Sequence, residues 1–238
     1  MKITVLGKYG PFPRANGATS GYLLKGEKTN AVIDMGSGTL SRLLNAISIK
    51  DLNFVILSHL HFDHISDIFP LSYALNFQKN KKVNLYLPNC DLPVLEVIKG
   101  LNAFNIIFVE EGKVYNEGEF TFSFYEVKHP VKAYGVKITN GTRTLAYTGD
   151  SVYVENLKNL VDGANLIIAD GAFLKEVHND KLPHMSIAQA VSLERFSKGA
   201  KVMVSHINYA YTDEEVIKEI KMHSKSAFIA KENTEYNV

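Results

Sequence analysis

Residues 58–64 read Ser-His-Leu-His-Phe-Asp-His and directly follow the apolar run 54–57, which predicts a strand. Imidazole nitrogens and carboxylate oxygens are ligands that Zn²⁺ takes in proteins. One short loop cannot aim four such groups at a single tetrahedral ion, although it can offer two to each of two neighbouring ions. The segment therefore predicts half of a two-metal site, and the alternative is a solvated polar loop. Its candidate ligands are His59, His61, Asp63 and His64.

Length and charge are those of an ordinary globular protein with a sizeable core. The chain has 238 residues, of which 46% are hydrophobic and 21% charged, and its net charge is +1. With no linker or low-complexity tract, residues 1–238 are predicted to form one domain. A strong nucleic-acid binder is usually more basic, so such a role would depend on local patches. Residues 79–82 form one patch, which is better interpreted as a solvated turn.

Cysteine content and the N-terminus indicate the compartment. Cys90 is the only cysteine, so the chain can form neither an intramolecular disulfide nor a thiolate zinc site, and we interpret Cys90 as a packing residue. Residues 1–7 are too short an apolar run for a signal peptide, and no segment approaches a membrane span. We therefore expect a cytoplasmic protein.

Hydrophobic periodicity predicts two successive blocks of strands, each with helices. Residues 119–124 alternate strictly between polar and apolar, and Asn140-Gly141 predicts a two-residue hairpin. Strands are predicted at residues 3–6, 21–25, 31–34, 53–58, 83–87, 119–124, 134–139, 142–147, 165–169, 201–205 and 227–230. Helices are predicted at residues 40–47, 70–78, 92–99, 157–161, 186–197 and 213–222. This order predicts an α/β (α+β) protein in which two mixed sheets pack together with helices outside.

Four predicted strands end in a possible metal ligand. These residues are Asp34, His129, Asp150 and His206. A strand fixes the residue that closes it and the following loop exposes that residue, so strand ends commonly carry functional groups. Taken singly, a histidine at a strand end is more often a hydrogen-bonded surface residue. Taken together with the histidine cluster, the four complete a plausible ligand set.

Five segments give the sequence its resemblance to the metallo-β-lactamase superfamily, in its ribonuclease Z-like and phosphodiesterase branch. The segment that begins at His129 is the one typical of this branch. The resemblance extends from residue 4 to residue 206 through segments 32–38, 57–64, 129–135, 147–151 and 204–206. It implies a four-layer αββα sandwich with the site along one edge of the packed sheets.

The resemblance also implies two Zn²⁺ ions, with Mn²⁺ or Fe²⁺ possible for the same ligand types. It assigns His59, His61 and His129 to the first ion, Asp63, His64 and His206 to the second, and Asp150 to both. Asp34 matches a carboxylate that orients ligand imidazoles. The implied chemistry is that of paired ions that ionise a bridging water, which then attacks phosphorus or a carbonyl carbon. The resemblance therefore implies a catalytic role for Asp63 in addition to its role as a metal ligand.

Three departures narrow the function within the superfamily. The connection from residue 138 to residue 150 leaves no room for the tRNA-gripping arm of tRNA-processing members. Asp150 stands where β-lactamases use a cysteine, and His61 stands where flavodiiron oxidoreductases have a glutamate. These differences argue against tRNA 3′-end cleavage, lactam hydrolysis and redox iron.

His184 and Asp170 match further positions of the phosphodiesterase branch. The resemblance implies that His184 lies beside the leaving group and that Asp170 is its acidic partner. The alternatives are a residue near a helix N-cap for His184 and a strand-end turn residue for Asp170. His178 and His223 have no motif around them, and we interpret both as surface residues.

Zinc-dependent hydrolysis of a nucleotide or another small phosphodiester is the function that the sequence predicts. A thioester or lactone hydrolase is the alternative enzyme, although such relatives tend to have Thr and Gly where Pro130 and Val131 stand. The alternative of another class is a metal-stabilised nucleic-acid-binding protein without turnover, which the near-neutral charge does not favour. No membrane partner is expected, and a homodimer is left open.

Overall fold

A computed structural model describes residues 1–78 and 82–238 of the chain. Three of the four residues of the predicted basic turn, Lys79, Asn80 and Lys81, therefore lie outside the described residues. The strands are β1 Lys2–Gly7, β2 Tyr9–Gly10, β3 Gly21–Lys25, β4 Asn30–Met35, β5 Leu52–Ile56, β6 Val83–Leu87, β7 Phe104–Phe108, β8 Val114–Glu117, β9 Phe120–Val127, β10 Ala133–Thr139, β11 Thr144–Tyr147, β12 Leu166–Asp170, β13 Lys201–Ser205, β14 Ile207–Asn208, β15 Phe228–Ile229 and β16 Glu235–Asn237. The α-helices are α1 Thr39–Ala46, α2 Phe62–Ile65, α3 Ile68–Asn76, α4 Pro93–Lys99, α5 Asn156–Val161, α6 Ile187–Ser192 and α7 Asp213–His223.

Two mixed sheets of seven strands each form the centre of the described part of the chain. The first has the order β16-β1-β3-β4-β5-β6-β7, and its strands from β4 to β7 are parallel. The second has the order β15-β13-β12-β11-β10-β9-β8, and its strands from β11 to β15 are parallel. Strands β2 and β14 pair separately.

Three hydrophobic clusters hold the sheets and helices together in layers. Side chains of both sheets form the middle cluster, in which the rings of Phe54 and Phe122 stack with centroids 5.3 Å apart. Helices α1, α3 and α4 bury apolar side chains against the first sheet, and α5, α6 and α7 do so against the second. Each buried Phe or Leu side chain contributes about 1.5–3 kcal/mol to the free energy of unfolding. The predicted αββα sandwich of two mixed sheets is confirmed, whereas the single domain stays a prediction.

Two predicted details are wrong. The hairpin at Asn140-Gly141 has a four-residue loop, because Thr139 pairs with Thr144 and the Asn140 side chain accepts hydrogen bonds from the backbone N–H groups of Thr142 and Arg143. The helix predicted at 186–197 ends at Ser192 and continues as a 3₁₀ turn, Leu193–Phe196. No helix among the described residues has the length and apolar character needed to cross a membrane.

Candidate metal centre

The predicted site residues follow strands of both sheets at one edge of the sandwich. Since β4 and β5 are parallel, as are β11, β12 and β13, their carboxyl ends meet there. Asp34 lies in β4, the segment from His59 to His64 follows β5, His129 follows β9, Asp150 follows β11, Asp170 ends β12, and His206 follows β13.

One group of candidate ligand atoms consists of three imidazole nitrogens. His61 Nδ1 lies 3.1 Å from His59 Nε2 and 3.0 Å from His129 Nε2. His129 Nδ1 lies 3.2 Å from the Pro183 carbonyl oxygen, which can only accept, so Nδ1 carries the proton and Nε2 keeps its lone pair. Burial lowers the pKa of His129 to about 4 and that of His59 well below its usual value. Tetrahedral zinc with bonds of about 2.0–2.1 Å separates its nitrogens by about 3.3 Å, so these three fit such an ion.

The second group combines Asp63, His64, Asp150 and His206. His64 Nε2 lies 3.5 Å from Asp63 Oδ2 and 3.2 Å from Asp150 Oδ2. His206 Nδ1 lies 3.2 Å from Asp150 Oδ1, and His206 Nε2 lies 4.0 Å from Asp63 Oδ2. The group therefore offers two carboxylates and two imidazoles around one small volume.

Asp150 lies between the two groups. Its Oδ2 is 3.6 Å from His59 Nε2 and 4.0 Å from His129 Nε2, both in the first group, and 3.2 Å from His64 Nε2 in the second. The side chain is almost completely buried, with its carboxylate among imidazoles. A carboxylate in this position can contact ions held by either group.

Orphaned polar atoms show that the second group fits a cation. Asp63 Oδ2, His64 Nε2 and Asp150 Oδ1 are buried and have no hydrogen-bond partner within the described part of the chain. Burial lowers the pKa of His64, but Asp150, Asp63 and Asp34 raise it by more, well above its usual value. The position at Nε2 thus attracts positive charge, which a divalent ion can supply in place of a proton.

Asp34 orients one imidazole of each group. Its fully buried carboxylate accepts from His64 Nδ1 at 2.7 Å and from the Ser58 hydroxyl at 2.8 Å. Because the Ser58 proton is used there, Ser58 Oγ accepts from His59 Nδ1 at 3.0 Å, and His59 Nε2 is left with its lone pair. The Tyr147 hydroxyl, from the opposite sheet, also donates to Asp34 at 2.7 Å.

Two local backbone features allow His206 to reach the site. His206 has a φ of 54°, in the left-handed region that a residue with a side chain adopts at a cost of about 1–3 kcal/mol. Gly10 packs against its ring, and a Cβ at this position would lie 2.1 Å from the ring atoms. A side chain at position 10 would therefore displace His206.

His184 and Asp170 lie together at the edge of the cluster. His184 Nδ1 is 2.8 Å from Asp170 Oδ2, and Asp170 also accepts from the backbone N–H groups of Ser151 and Ala172. Burial lowers the pKa of His184, but the charge and hydrogen bond of Asp170, together with the charge of Asp150, raise it by more, to about 9. His184 also lies within reach of His129 and Asp150, so the geometry permits it as a ligand too.

Of the two histidines predicted at the surface, only His223 is exposed. His178 is partly buried, with its Nε2 3.0 Å from the backbone carbonyl oxygen of His184 and its ring beside Phe173. His178 therefore holds the loop that carries His184, a contact that no neighbouring motif indicates.

A family comparison identifies the fold. Residues 29–207 match the model of a "Beta-lactamase superfamily domain". The chain belongs to this superfamily. The resemblance inferred from the sequence is thereby confirmed, and together with the His and Asp cluster it indicates a hydrolase that uses divalent metal ions.

Individual relatives agree with this assignment. The chain is 30% identical over 226 residues to the probable metallo-hydrolase YhfI of Bacillus subtilis, covering 93% of each protein. The crystal structure of YhfI superposes with a TM-score of 0.92 over 99% of both chains. A ribonuclease Z of Methanosarcina acetivorans is 24% identical, with 100% of this chain and 98% of the relative covered. A diphosphatase of the PhnP family has a TM-score of 0.77 at 17% identity, covering 100% of this chain and 97% of the other, and shows the shared fold.

Proposed function

We propose that the chain is a binuclear zinc-dependent phosphodiesterase. The position of Asp150 carries this proposal, because its Oδ2 lies within 4.0 Å of imidazole nitrogens from both groups. In this proposal His59, His61 and His129 hold one ion, Asp63, His64 and His206 hold the other, and Asp150 contacts both. Two divalent ions would activate a water and stabilise negative charge on the substrate's oxygen atoms.

The chain's own residues would perform the remaining steps. Asp34 and Ser58 hold the imidazoles of His64 and His59 in the orientation that presents Nε2 to the site. His184 is bound to Asp170 through Nδ1, so Nε2 is the nitrogen left to donate a proton to the departing oxygen. Asp170 fixes the ring and stabilises its protonated form.

The His184–Asp170 pair favours a phosphodiester over a thioester. An alkoxide leaving from phosphorus is strongly basic and needs a proton, whereas a thiolate leaves without one at neutral pH. The relatives named ribonuclease Z and diphosphatase suggest phosphorus chemistry as well. We further propose a small or nucleotide substrate and a cytoplasmic location. Nucleic acid and a homodimer stay open as partners.

Metal stoichiometry is the first expected result. Seven side chains are too many for one tetrahedral ion, so protein reconstituted with zinc should bind about two equivalents by elemental analysis. Asp63→Ala should remove one of them, since Asp63 belongs to the second group alone. Manganese loading of the same samples tests whether another ion occupies both positions. A plateau at one equivalent that Asp63→Ala leaves unchanged would contradict the binuclear site.

Hydrolysis of phosphodiesters without tRNA maturation is the second expected result. Strands β10 and β11 are joined by residues 140–143 alone, so the gripping arm has no place there. The 299-position alignment with the Methanosarcina ribonuclease Z is longer than this chain, so part of that enzyme has no counterpart here. Metal-loaded protein should cleave bis(p-nitrophenyl) phosphate or cyclic nucleotides, but neither a thioester nor a β-lactam. Accurate 3′ cleavage of precursor tRNA at the rate of an arm-bearing enzyme would contradict the argument.

The same measurements address the alternatives. Faster hydrolysis of the thioester or a lactone than of any phosphodiester would favour the alternative enzyme. Nucleic-acid binding with no turnover of any substrate would favour a binding protein.

A further inference from the structure

Phe62 is an exposed aromatic residue between two proposed ligands. It lies between His61 and Asp63 at the start of α2, and 70% of the residue is exposed. Most of the aromatic side chains of the middle cluster are by contrast almost completely buried. A single exposed hydrophobic residue is common on protein surfaces, so exposure alone indicates nothing. The position of Phe62 in the site is what distinguishes it.

The proposed site opens into a cleft of about 390 Å³ that Phe62 helps to line. The floor is polar and consists of proposed ligands together with His184. The walls include Phe62 and three prolines, Pro11, Pro130 and Pro183. The lining thus combines these four apolar residues with polar groups that would attract anions if they held metal ions. Such a combination suits a ligand with an anionic group and a flat apolar body.

We propose that Phe62 determines substrate specificity by stacking against the base of a nucleoside phosphodiester whose phosphate lies on the floor of the cleft. This inference rests on the proposed phosphodiesterase function and names its substrate class. A phenyl ring is a suitable platform, because every base presents a flat π face and stacking tolerates any base. The ring has two rotatable bonds, so little conformational entropy is lost when a base covers it.

A binding experiment tests the stacking without any turnover. The chain contains no tryptophan, so Phe62→Trp introduces one fluorophore at this position. Thymidine 5′-monophosphate should quench its fluorescence saturably in metal-loaded protein, whereas methyl phosphate at the same concentrations should not. Tyr73→Trp is the matched control, since Tyr73 is also 70% exposed and does not line the cleft. Equal quenching at both positions, or none at position 62, would overturn the inference.

A kinetic comparison of two esters isolates the contribution of the base to kcat/KM. Thymidine 5′-monophosphate p-nitrophenyl ester and methyl p-nitrophenyl phosphate share a leaving group and differ in the group that remains on phosphorus. Phe62→Ala should lower kcat/KM for the thymidine ester by about 5- to 150-fold and leave that for the methyl ester nearly unchanged. Phe62→Tyr should preserve the selectivity, and Phe62→Leu should lose most of it.

Each outcome separates this inference from the proposed function. If the unmodified protein hydrolyses neither ester, the proposed function fails and the fluorescence titration alone decides the inference. If Phe62→Ala lowers kcat/KM equally for both esters, Phe62 supports the site without selecting the base, and the inference is wrong. If Phe62→Ala leaves both rates intact but converts a dimer to a monomer in sedimentation, the ring belongs to an interface and the inference is likewise wrong.

Discussion

Replacing Asp150 by alanine should reduce bound zinc below one equivalent and lower kcat/KM on a phosphodiester by about 10³-fold or more. This carboxylate lies within 4.0 Å of histidines in both candidate groups, so its loss should weaken the binding of both ions. Charge stabilisation by metals contributes several kcal/mol to such reactions, and each 1.36 kcal/mol is tenfold in rate. His206→Ala should lower bound zinc and kcat/KM by less than Asp150→Ala does, because His206 belongs to one group alone.

Two further variants make the Asp150 result interpretable. Asp150→Asn keeps the volume and one carbonyl oxygen, so its metal content should fall between those of the unmodified protein and Asp150→Ala. Asp162→Ala removes an exposed carboxylate at the end of α5, before the amino end of β12 and therefore opposite the cluster, and should change neither quantity. Circular dichroism should show the same fold for all variants. If Asp150→Ala retained two equivalents of zinc, Asp150 would not be a shared ligand.

The strands that precede the site were predictable from sequence, because each is an apolar run that leads to a possible metal ligand. Strand β5 illustrates this, since its buried residues are followed by Leu57, Ser58 and then His59. Strand β9 was equally clear, because Phe120, Phe122 and Phe124 face the core while the residues between them do not. Periodicity is a strong signal where one face is buried and the other is solvated.

Elements and contacts that depend on distant parts of the chain could not be predicted. Strand β16 is a polar segment of three residues that becomes a strand through pairing with β1, at the other end of the chain. Ser58 is an unremarkable serine in sequence, and its relay between Asp34 and His59 exists through the fold. Tyr147 likewise reaches Asp34 across the interface between the sheets. The resemblance implied the candidate ligands, whereas the hydrogen bonds that orient them depend on the fold.

His184→Ala should lower kcat by about 10²- to 10⁴-fold on a substrate with a basic leaving group, while two equivalents of zinc remain bound. With Nδ1 committed to Asp170, the other ring nitrogen can donate a proton to the oxygen that leaves. The loss should shrink for bis(p-nitrophenyl) phosphate, because p-nitrophenolate leaves without protonation. The comparison of a good and a poor leaving group therefore separates proton donation from a general loss of structure.

Asp170→Asn tests the partner of His184 in the same assays. The amide removes the charge that favours a protonated imidazole, so kcat should fall on the poor leaving group by less than in His184→Ala. His223→Ala is the matched control, since His223 is exposed and contacts Glu219 rather than the cluster, and it should behave like the unmodified protein.

The metal content of His184→Ala decides between the two positions that the geometry allows. His184 lies within reach of a possible ligand group with His129 and Asp150 as well as of Asp170. If the substitution removes a zinc equivalent, His184 is a ligand, and the assignment of His129 or His206 to an ion is wrong. If it changes neither the zinc content nor the rate on the substrate with the poor leaving group, another group protonates the departing oxygen. His184 then has a structural role in the loop before α6 instead. A large rate loss with both ions retained, confined to poor leaving groups, is the result that proton donation by His184 requires.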